Sequence, residues 1–347
     1  MTTTRRSVIG LAVVVIAIAA LAPGPAHPAK AWGHPLAGGY WTPGPAAPTF
    51  PPPTSPIIEI ADTGEGNPEA DVAYNSQYDE YLVVWSGNKT VWGQRVSSRG
   101  QTIGMPFAIE AGSSYGYGRP RVAHDASRNR YLVVWGRLVS NQALTMHARF
   151  VPAMGPNAAL TAFAIDPSQS PANADYSLAF ALAQDEFLVV WEIQTGGGVR
   201  VATFARRIEA DGSGFAASTF TLASHATDNR RHPDVAYNLQ RNEYLVTVDD
   251  SNKVNDNVYG TRLTASGTVL DGGELAIAGW PDDEFGASVA ACPNGDQFLV
   301  FWQSIRLGDG TDGLYARYVS GDGTLGNVVQ PKSRDFWKTR STAAACG

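Results

Sequence analysis

Two aspartates in this chain are candidates for acid–base chemistry. Asp71 and Asp234 each begin a copy of the segment Asp-Val-Ala-Tyr. Glycoside hydrolysis by the common mechanisms needs two carboxyl groups several Å apart, one acting as an acid and the other as a base or nucleophile. The equivalent positions in the other copies hold Arg121, Ser177 and Ser288. A third acidic partner is therefore not evident, and we expect Asp71 and Asp234 to be structural, with catalysis as the alternative.

A second group of residues has the chemistry of a ligand site. Aromatic rings can stack on the apolar face of a sugar, and nearby polar side chains can bind its hydroxyl groups. Candidates fall between the repeated segments, where the copies differ: Tyr115, Tyr117, Arg119, His232, Trp280, Asp282 and Asp283. We predict that any ligand binds there, and the alternative is that these residues form solvated loops.

Metal chemistry is weakly indicated. Asp249 and Asp250 begin the oxygen-rich stretch Asp249-Asp250-Ser251-Asn252, and carboxylate oxygens are the ligands that Ca²⁺ prefers. The stretch lacks the regular spacing of a calcium loop, and the six histidines are scattered. We therefore expect a plain polar loop and no cofactor.

The elements that must position these residues come from an internal repeat. An apolar phrase of the type Tyr-Leu-Val-Val-Trp ends at residues 85, 135, 191, 248 and 302. Repeats of about 50 residues are typical of β-propeller blades. The phrase does not alternate between apolar and polar residues, which indicates a strand buried on both faces. We call it strand B.

The remaining strands of each unit repeat as well. Strand A contains Val-Ala-Tyr or a variant of it, with Ala in the middle of all five copies. An Asp or Asn lies in the turn before strand B, and these residues tolerate the left-handed turn conformation. Strand C carries one Arg per unit and is followed by a Gly, and strand D resembles Phe-Ala-Ile. The arginines are Arg95, Arg149, Arg207, Arg262 and Arg317. They recur in every copy, so we expect them to be structural.

These strands predict an all-β protein: a five-bladed β-propeller with four-stranded antiparallel blades over residues 56–331. Pro56–Ile60 matches strand D in register. We expect this N-terminal strand to pair with the last blade and close the ring, which removes open sheet edges. The alternative is that Val328 and Val329 supply the outer strand.

The repeated unit resembles the blades of secreted bacterial β-propeller repeat proteins, on the pattern V-A-Y … E-Y-L-V-V-W … R … G. The resemblance covers residues 56–331. It implies a fold and export from the cell, and it implies no particular chemistry.

The N-terminus predicts export. Arg5 and Arg6 precede an apolar run from Val8 to Ala22, whose 15 residues fall short of the roughly 20 that span a bilayer. Ala29-Lys30-Ala31 fits a signal-peptidase site, which gives a signal peptide over 1–31. A Pro/Gly-rich linker over 32–55 follows, and residues 332–347 form a C-terminal tail. The twin arginines resemble a twin-arginine signal, with the general secretory route as the alternative. The expected location is secreted or periplasmic.

Composition limits the partners. The formal charge is −6 and no basic run exists, which argues against nucleic acid because phosphate binding needs clustered Lys and Arg. We expect a monomer without a membrane span once the signal is removed. A glycan or a protein is the expected ligand.

Cys292 and Cys346 are the only cysteines. An exported chain enters an oxidising compartment, so an even number of cysteines favours a disulfide. The alternative is two unpaired thiols. The predicted bond would attach the C-terminal tail to the fifth blade.

Three functions remain open on the sequence. The first is a secreted binding or scaffold module for carbohydrate or protein. The alternatives are a glycan-active hydrolase and a purely structural surface protein. No catalytic motif decides among them.

Overall fold

The computed structural model describes residues 59–60, 70–87, 89–141, 143–154, 161–171, 175–195, 200–225, 228–250, 255–280, 283–292, 295–305 and 313–333. These ranges form twenty β-strands and contain no helix. The predicted signal peptide, the linker and the C-terminal tail lie outside the described residues. Within those residues we find no helix with the length and hydropathy that a membrane crossing requires.

The strands form five antiparallel sheets, each made from one continuous stretch of chain. The first blade contains β1 Ala70–Asn75, β2 Glu80–Gly87, β3 Thr90–Ser97 and β4 Thr102–Ala111. The second contains β5 Arg121–Asp125, β6 Arg130–Ser140, β7 Ala143–Pro152 and β8 Phe163–Pro171. The third contains β9 Tyr176–Ala181, β10 Glu186–Thr195, β11 Arg200–Glu209 and β12 Phe220–Ala223.

The last two blades repeat the pattern. The fourth contains β13 Arg231–Asn238, β14 Glu243–Asp249, β15 Val258–Thr264 and β16 Leu275–Ala278. The fifth contains β17 Asp283–Cys292, β18 Gln297–Ile305, β19 Gly313–Ser320 and β20 Val329–Ser333. Five four-stranded sheets from five sequence repeats make the protein an all-β, five-bladed propeller, as the sequence predicts.

Strand B of each blade packs on two neighbours at once. In the second blade Val133 and Trp135 face the first blade, whereas Leu132 and Val134 face the third. The same alternation recurs in the next blades. Trp135, Trp191 and Trp302 are at most 1% exposed. Burying a large apolar side chain contributes roughly 1.5–3 kcal/mol, so these inter-blade layers are the main stabilising element.

The turns also follow the predicted chemistry. Asp79, Asn129, Asp185 and Asn242 have φ between 50° and 57°, the left-handed conformation that Asp and Asn tolerate best. Each allows the tight A–B hairpin of its blade.

The closure of the fifth blade differs from our expectation. The outer strand there is β20, which contains Val329, and so the alternative applies. Of the predicted N-terminal strand Pro56–Ile60, Glu59 and Ile60 are not in a strand, and the rest lies outside the described residues. Ile60 instead packs against Val83, Trp85 and Val96 of the first blade. The C-terminal strand completes the fifth sheet because it follows β19 directly in the chain.

Cys292 ends β17 and is buried. Cys346 lies outside the described residues. The disulfide between them therefore stays a prediction.

Candidate functional site

The antiparallel order brings four chain positions to the same edge of every blade: the start of strand A, the end of strand B, the start of strand C and the end of strand D. We call this edge the D–A face. It is the face on which the sequence predicts a ligand site. The structure contains two sets of buried acidic residues, one on the innermost strands near the ring axis and another at the D–A face.

The axial aspartates connect neighbouring blades. The Asp71 carboxylate accepts a hydrogen bond of 2.8 Å from the backbone N–H of Val122 in the next blade. Asp234 accepts one of 2.7 Å from the Ser177 hydroxyl and one of 2.9 Å from the backbone N–H of Val289. Each aspartate therefore joins its own innermost strand to adjacent ones, which is a structural role.

Burial raises the pKa of both axial aspartates above the ordinary value, and the charge of Arg121 opposes this in both. Arg121 belongs to the second blade, whereas Asp71 and Asp234 belong to the first and fourth. Its charge therefore acts on carboxyl groups of two other blades. The axial aspartates thus share the influence of one cation and also bond to backbone.

A second pair of carboxyl groups lies at the D–A face. Glu192 and Asp249 each follow directly after the last residue of the strand B phrase, in the third and fourth blades. Both are buried, at 6% and 2% exposure. The equivalent residues in the other blades are Ser86, Gly136 and Gln303. Only these two of the five positions are acidic.

Each of these carboxylates accepts hydrogen bonds from the innermost strand of the next blade. Glu192 accepts from the backbone N–H of His232 at 2.5 Å. Asp249 accepts from the backbone N–H groups of Gly286 and Ala287 at 2.8 and 3.4 Å. The ladder of the receiving strand is interrupted at these points, between Arg231 and Asp234 in β13 and between Phe285 and Ser288 in β17. The bulges turn backbone N–H groups towards the carboxylates.

His232 occupies the bulge in β13 with φ of 49°. A non-glycine residue in this conformation stores strain, and such residues are concentrated at functional sites. Its Nδ1 lies 3.0 Å from Oδ2 of Asp249, and its Nε2 lies 3.5 Å from Oδ2 of Asp175. The side chain remains 49% exposed. The imidazole thus connects two carboxylates and still faces solvent.

Asp175 completes the cluster. It immediately precedes β9, and Arg119, which precedes β5 in the second blade, forms an ion pair with it. Asp175 therefore has a cationic side chain on each side, Arg119 and His232. We call Arg119, Asp175, Glu192, His232 and Asp249 the D–A cluster. It joins the second, third and fourth blades.

Glu192 and His232 of the D–A cluster have raised pKa values with different physical causes. Burial raises the pKa of Glu192 to about 7, and the backbone N–H and the charge of His232 only partly oppose this. Burial alone would lower the pKa of His232, but its hydrogen bond to Asp249 and the charges of three carboxylates raise it to about 9. At neutral pH the imidazole is cationic, and Glu192 holds a proton in about half of the molecules.

Asp175, Glu192 and His232 also have the spacing of metal ligands. One ligand atom of each lies within 4.8 Å of the other two. Asp249 bonds the other ring nitrogen of His232, as outer carboxylates of metal sites do. The guanidinium of Arg119 and the proton on the His232 imidazole would compete with a metal ion for these ligand atoms. The three residues therefore suit a metal ion only when His232 is neutral.

The predicted ligand residues separate into two places. Arg119 and His232 both contact Asp175, so the structure brings them together. Tyr115 is exposed, at 53%, whereas Tyr117 is 8% exposed and packs in the core between the first two blades. A buried Tyr117 cannot stack on a ligand, which corrects that part of the prediction.

Trp280 and Asp283 lie where the chain passes from the fourth blade to the fifth. Trp280 packs edge-on against Tyr315 with ring centres 5.0 Å apart, and it also contacts Trp302. Asp283 accepts a hydrogen bond of 3.3 Å from the backbone N–H of Asp256. Asp282 lies outside the described residues.

The weak metal candidates have protein partners. Asp249 bonds His232 and the β17 bulge, as above. Asp250 accepts from the backbone N–H of Asn257 at 2.7 Å. Burial, followed by the charges of Asp283, Asp249 and Asp250, raises the pKa of Asp256 to about 6. Calcium binding by Asp249 and Asp250 stays untested.

Sequence reasoning missed Asp175 and Glu192. The signal for Glu192 was present: a single acidic residue directly after the Trp of a repeated apolar phrase. Asp175 precedes strand A of the third blade, at a place where no repeated pattern marks it.

Four of the five predicted strand C arginines fall into two structural groups. Arg149 and Arg317 donate to backbone carbonyls of strand D in the preceding blade, at Ile109 and Ile277. Arg206, one residue before the predicted Arg207, makes the equivalent contact to Ile165. Arg207 and Arg262 face the other side of their sheets and pair with Glu186 and Glu243. These contacts support the structural interpretation.

No protein-family model and no curated protein sequence matches this chain. Among solved structures, the Hadza microbial sialidase Hz136 is similar with a TM-score of 0.51 and 11% identity, over 81% of this chain and 64% of that one. The α-L-arabinofuranosidase of Lactobacillus brevis has a TM-score of 0.48 and 12% identity, over 74% of this chain and 92% of that one. The α-L-arabinanase of Penicillium chrysogenum has a TM-score of 0.47 and 9% identity, over 76% and 93% of the two chains. At these identities the likeness concerns the fold alone.

Proposed function

We propose that this protein is a glycoside hydrolase whose catalytic carboxyl groups are Glu192 and Asp175. The observation that carries the proposal is the pairing of a buried glutamic acid, whose pKa is about 7, with an ion-paired aspartate less than 5 Å away. Two carboxyl groups in different environments, one of them buried and one ion-paired, are the arrangement that glycoside hydrolysis needs.

Glu192 has the properties of the proton donor. Its burial keeps a proton on the carboxyl group near neutral pH, where an exposed glutamate would have lost it. In the first step Glu192 gives this proton to the glycosidic oxygen as the bond from that oxygen to the anomeric carbon breaks.

Asp175 has the properties of the nucleophile. Its carboxylate is held between Arg119 and His232, which fix its orientation. An oxygen of Asp175 and one of Glu192 lie within 4.8 Å, nearer to the roughly 5–5.5 Å of retaining enzymes than to the roughly 6.5–9.5 Å of inverting ones. The Asp175 carboxylate bonds to the anomeric carbon, and a water molecule then replaces it after giving a proton to Glu192. The products are a free reducing sugar and the leaving alcohol.

Arg119, His232 and Asp249 are positioning residues in this scheme. Asp249 orients the imidazole, and the imidazole and the guanidinium orient Asp175. The sialidase structure shows that a related fold occurs in a protein named as a glycosidase, which is compatible with the proposal. The proposal itself depends on the D–A cluster. Export through an N-terminal signal would place such an enzyme where extracellular glycans occur.

The test is a screen of the purified protein against polysaccharides and aryl glycosides, with release of reducing sugar as the readout. We expect at least one substrate to be hydrolysed with retention of anomeric configuration, seen by NMR. Glu192→Gln should lower kcat by about 10²–10⁴-fold. The matched control is Glu209→Gln, which changes a half-buried glutamate at the opposite edge of the same blade and should leave kcat unchanged. Glycan binding without turnover would favour a binding module, and Tyr115 would then be the first residue to test.

A further inference from the structure

A cavity of about 390 Å³ lies between the first and second blades. Its volume is within the roughly 300–1,000 Å³ of small-molecule sites. The lining includes Glu110 of the first blade and Trp135, Arg137, His147 and Arg149 of the second. It contains none of the D–A cluster.

The cavity exists because the second blade departs from the repeat. In the other blades the residue opposite the last position of strand B carries a large ring: Trp92, Phe204, Tyr259 and Tyr315. The second blade has His147 there, opposite Trp135. On the neighbouring strand β8, Ala164 lies opposite His147. A smaller and more polar side chain thus replaces a ring that fills this space elsewhere.

Trp135 is among the residues that border the cavity, and its indole is buried. Trp135 is 1% exposed, and its Nε1 has no hydrogen-bond partner in the described part of the chain. The same holds for Trp191 and Trp302. Those two indoles pack against Phe204 and Tyr315, whereas His147 takes the place of that ring beside Trp135.

The charges of the lining favour an anion. Arg137 is exposed, and its guanidinium has no ion-pair partner among the described residues. Arg149 lies 3.7 Å from Glu110 and also donates to a backbone carbonyl. Burial, and then the charge of Arg137, lowers the pKa of His147, so this side chain is neutral at pH 7. Two guanidinium cations face one carboxylate, which leaves one positive charge for a ligand to neutralise.

We propose that this cavity, which we call the blade 1–2 site, binds an acidic monosaccharide with one negative charge. Arg137 binds the acid group, and His147 contacts the ring and its hydroxyl groups. An inorganic ion would leave most of the volume empty, which is why a sugar-sized anion fits better.

Isothermal titration of the intact protein with glucuronate and galacturonate tests this, with glucose and galactose as neutral counterparts. We expect one acid to bind with 1:1 stoichiometry and at least tenfold more tightly than its neutral counterpart. A further titration with inorganic sulfate shows whether the cavity binds a free oxyanion without a sugar. Binding of sulfate alone, equal binding of acid and neutral sugar, or no binding by either acid would overturn the proposal.

Three variants locate the site. His147→Phe restores the large ring of the other blades and should abolish binding without lowering Tm, which also excludes loss of folding as the cause. Arg137→Gln should weaken binding at least tenfold, whereas Arg128→Gln, in a turn at the opposite edge of the same blade, should not. Glu110→Gln should strengthen binding of an anion, and weaker binding in this variant would contradict the assignment. Glu192→Gln should bind as the wild type does, because the blade 1–2 site does not depend on the proposed hydrolysis.

Discussion

Nδ1 of His232 lies 3.0 Å from Oδ2 of the buried Asp249. The two residues come from adjacent strands of the fourth blade, and the bulge in β13 makes the contact possible. Because Nδ1 is engaged by Asp249, Nε2 faces Asp175. Asp249 therefore fixes the orientation of the imidazole from the side of the ring that faces away from the proposed substrate.

This contact predicts a change in the titration of His232. Asp249→Asn removes the nearest negative charge and the charged hydrogen-bond acceptor, so the pKa of His232 should fall from about 9 towards the ordinary 6.5. NMR titration of the imidazole in wild type and variant measures this. An unchanged pKa would show that Asp249 does not hold the imidazolium.

The raised pKa of His232 also predicts a dependence of stability on pH. A group that binds its proton more tightly in the folded state stabilises fully below its unfolded pKa of 6.5, and this is lost as pH rises through about 9. His232→Asn suits the test because Asn tolerates positive φ and carries no charge. The wild type should exceed the variant in free energy of unfolding most at pH 6 and least above pH 9. A difference that stays constant over this range, in urea unfolding, would contradict the ion-pair account.

The axial aspartates should affect stability and not activity. Asp234→Ala leaves two donors of neighbouring blades, the Ser177 hydroxyl and the Val289 N–H, without their acceptor, whereas Asp71→Ala affects one such donor, the Val122 N–H. An unsatisfied buried donor costs about 1–3 kcal/mol. The Asp234 variant should therefore lose more stability in urea unfolding. A large loss of kcat in a folded Asp71→Asn or Asp234→Asn variant would support the alternative that these aspartates are catalytic.

The fold could be predicted from the sequence because five copies of one pattern supported one another. The unbroken apolar sequence of strand B predicts burial on both faces of the strand. The burial of Trp135 and of its equivalents confirms this prediction. The closure could not be predicted as well, since Pro56–Ile60 and Val328-Val329 both resemble strand D, and only the packing selects between them.

The candidate site was predicted in part. Arg119 and His232 were identified because the segments between the repeated strand phrases differ between blades. Tyr117 was wrong because sequence does not reveal which way a loop side chain turns. Glu192 was missed because its significance depends on the bulge at His232, in the next blade, which brings a backbone donor and a cation to it.

The pairing of Cys292 with Cys346 is open to direct measurement. Thiol titration of the denatured, unreduced protein should find no free thiol if the bond forms. In the simple chain-entropy model a loop of about 54 residues would stabilise the fold by roughly 4 kcal/mol. Two free thiols per chain would refute the bond.

The role of Glu192 as proton donor is tested most directly by the leaving group of the substrate. For Glu192→Gln, kcat/KM should be close to that of the wild type on a dinitrophenyl glycoside, whose leaving group needs no proton. On the alkyl glycoside of the same sugar it should fall by about 10²–10⁴-fold. For the wild type, kcat/KM on the alkyl glycoside should decline above pH 7, as Glu192 loses its proton with a pKa of about 7. An equal loss on both substrates, or no loss on either, would contradict the assignment of Glu192 as the acid.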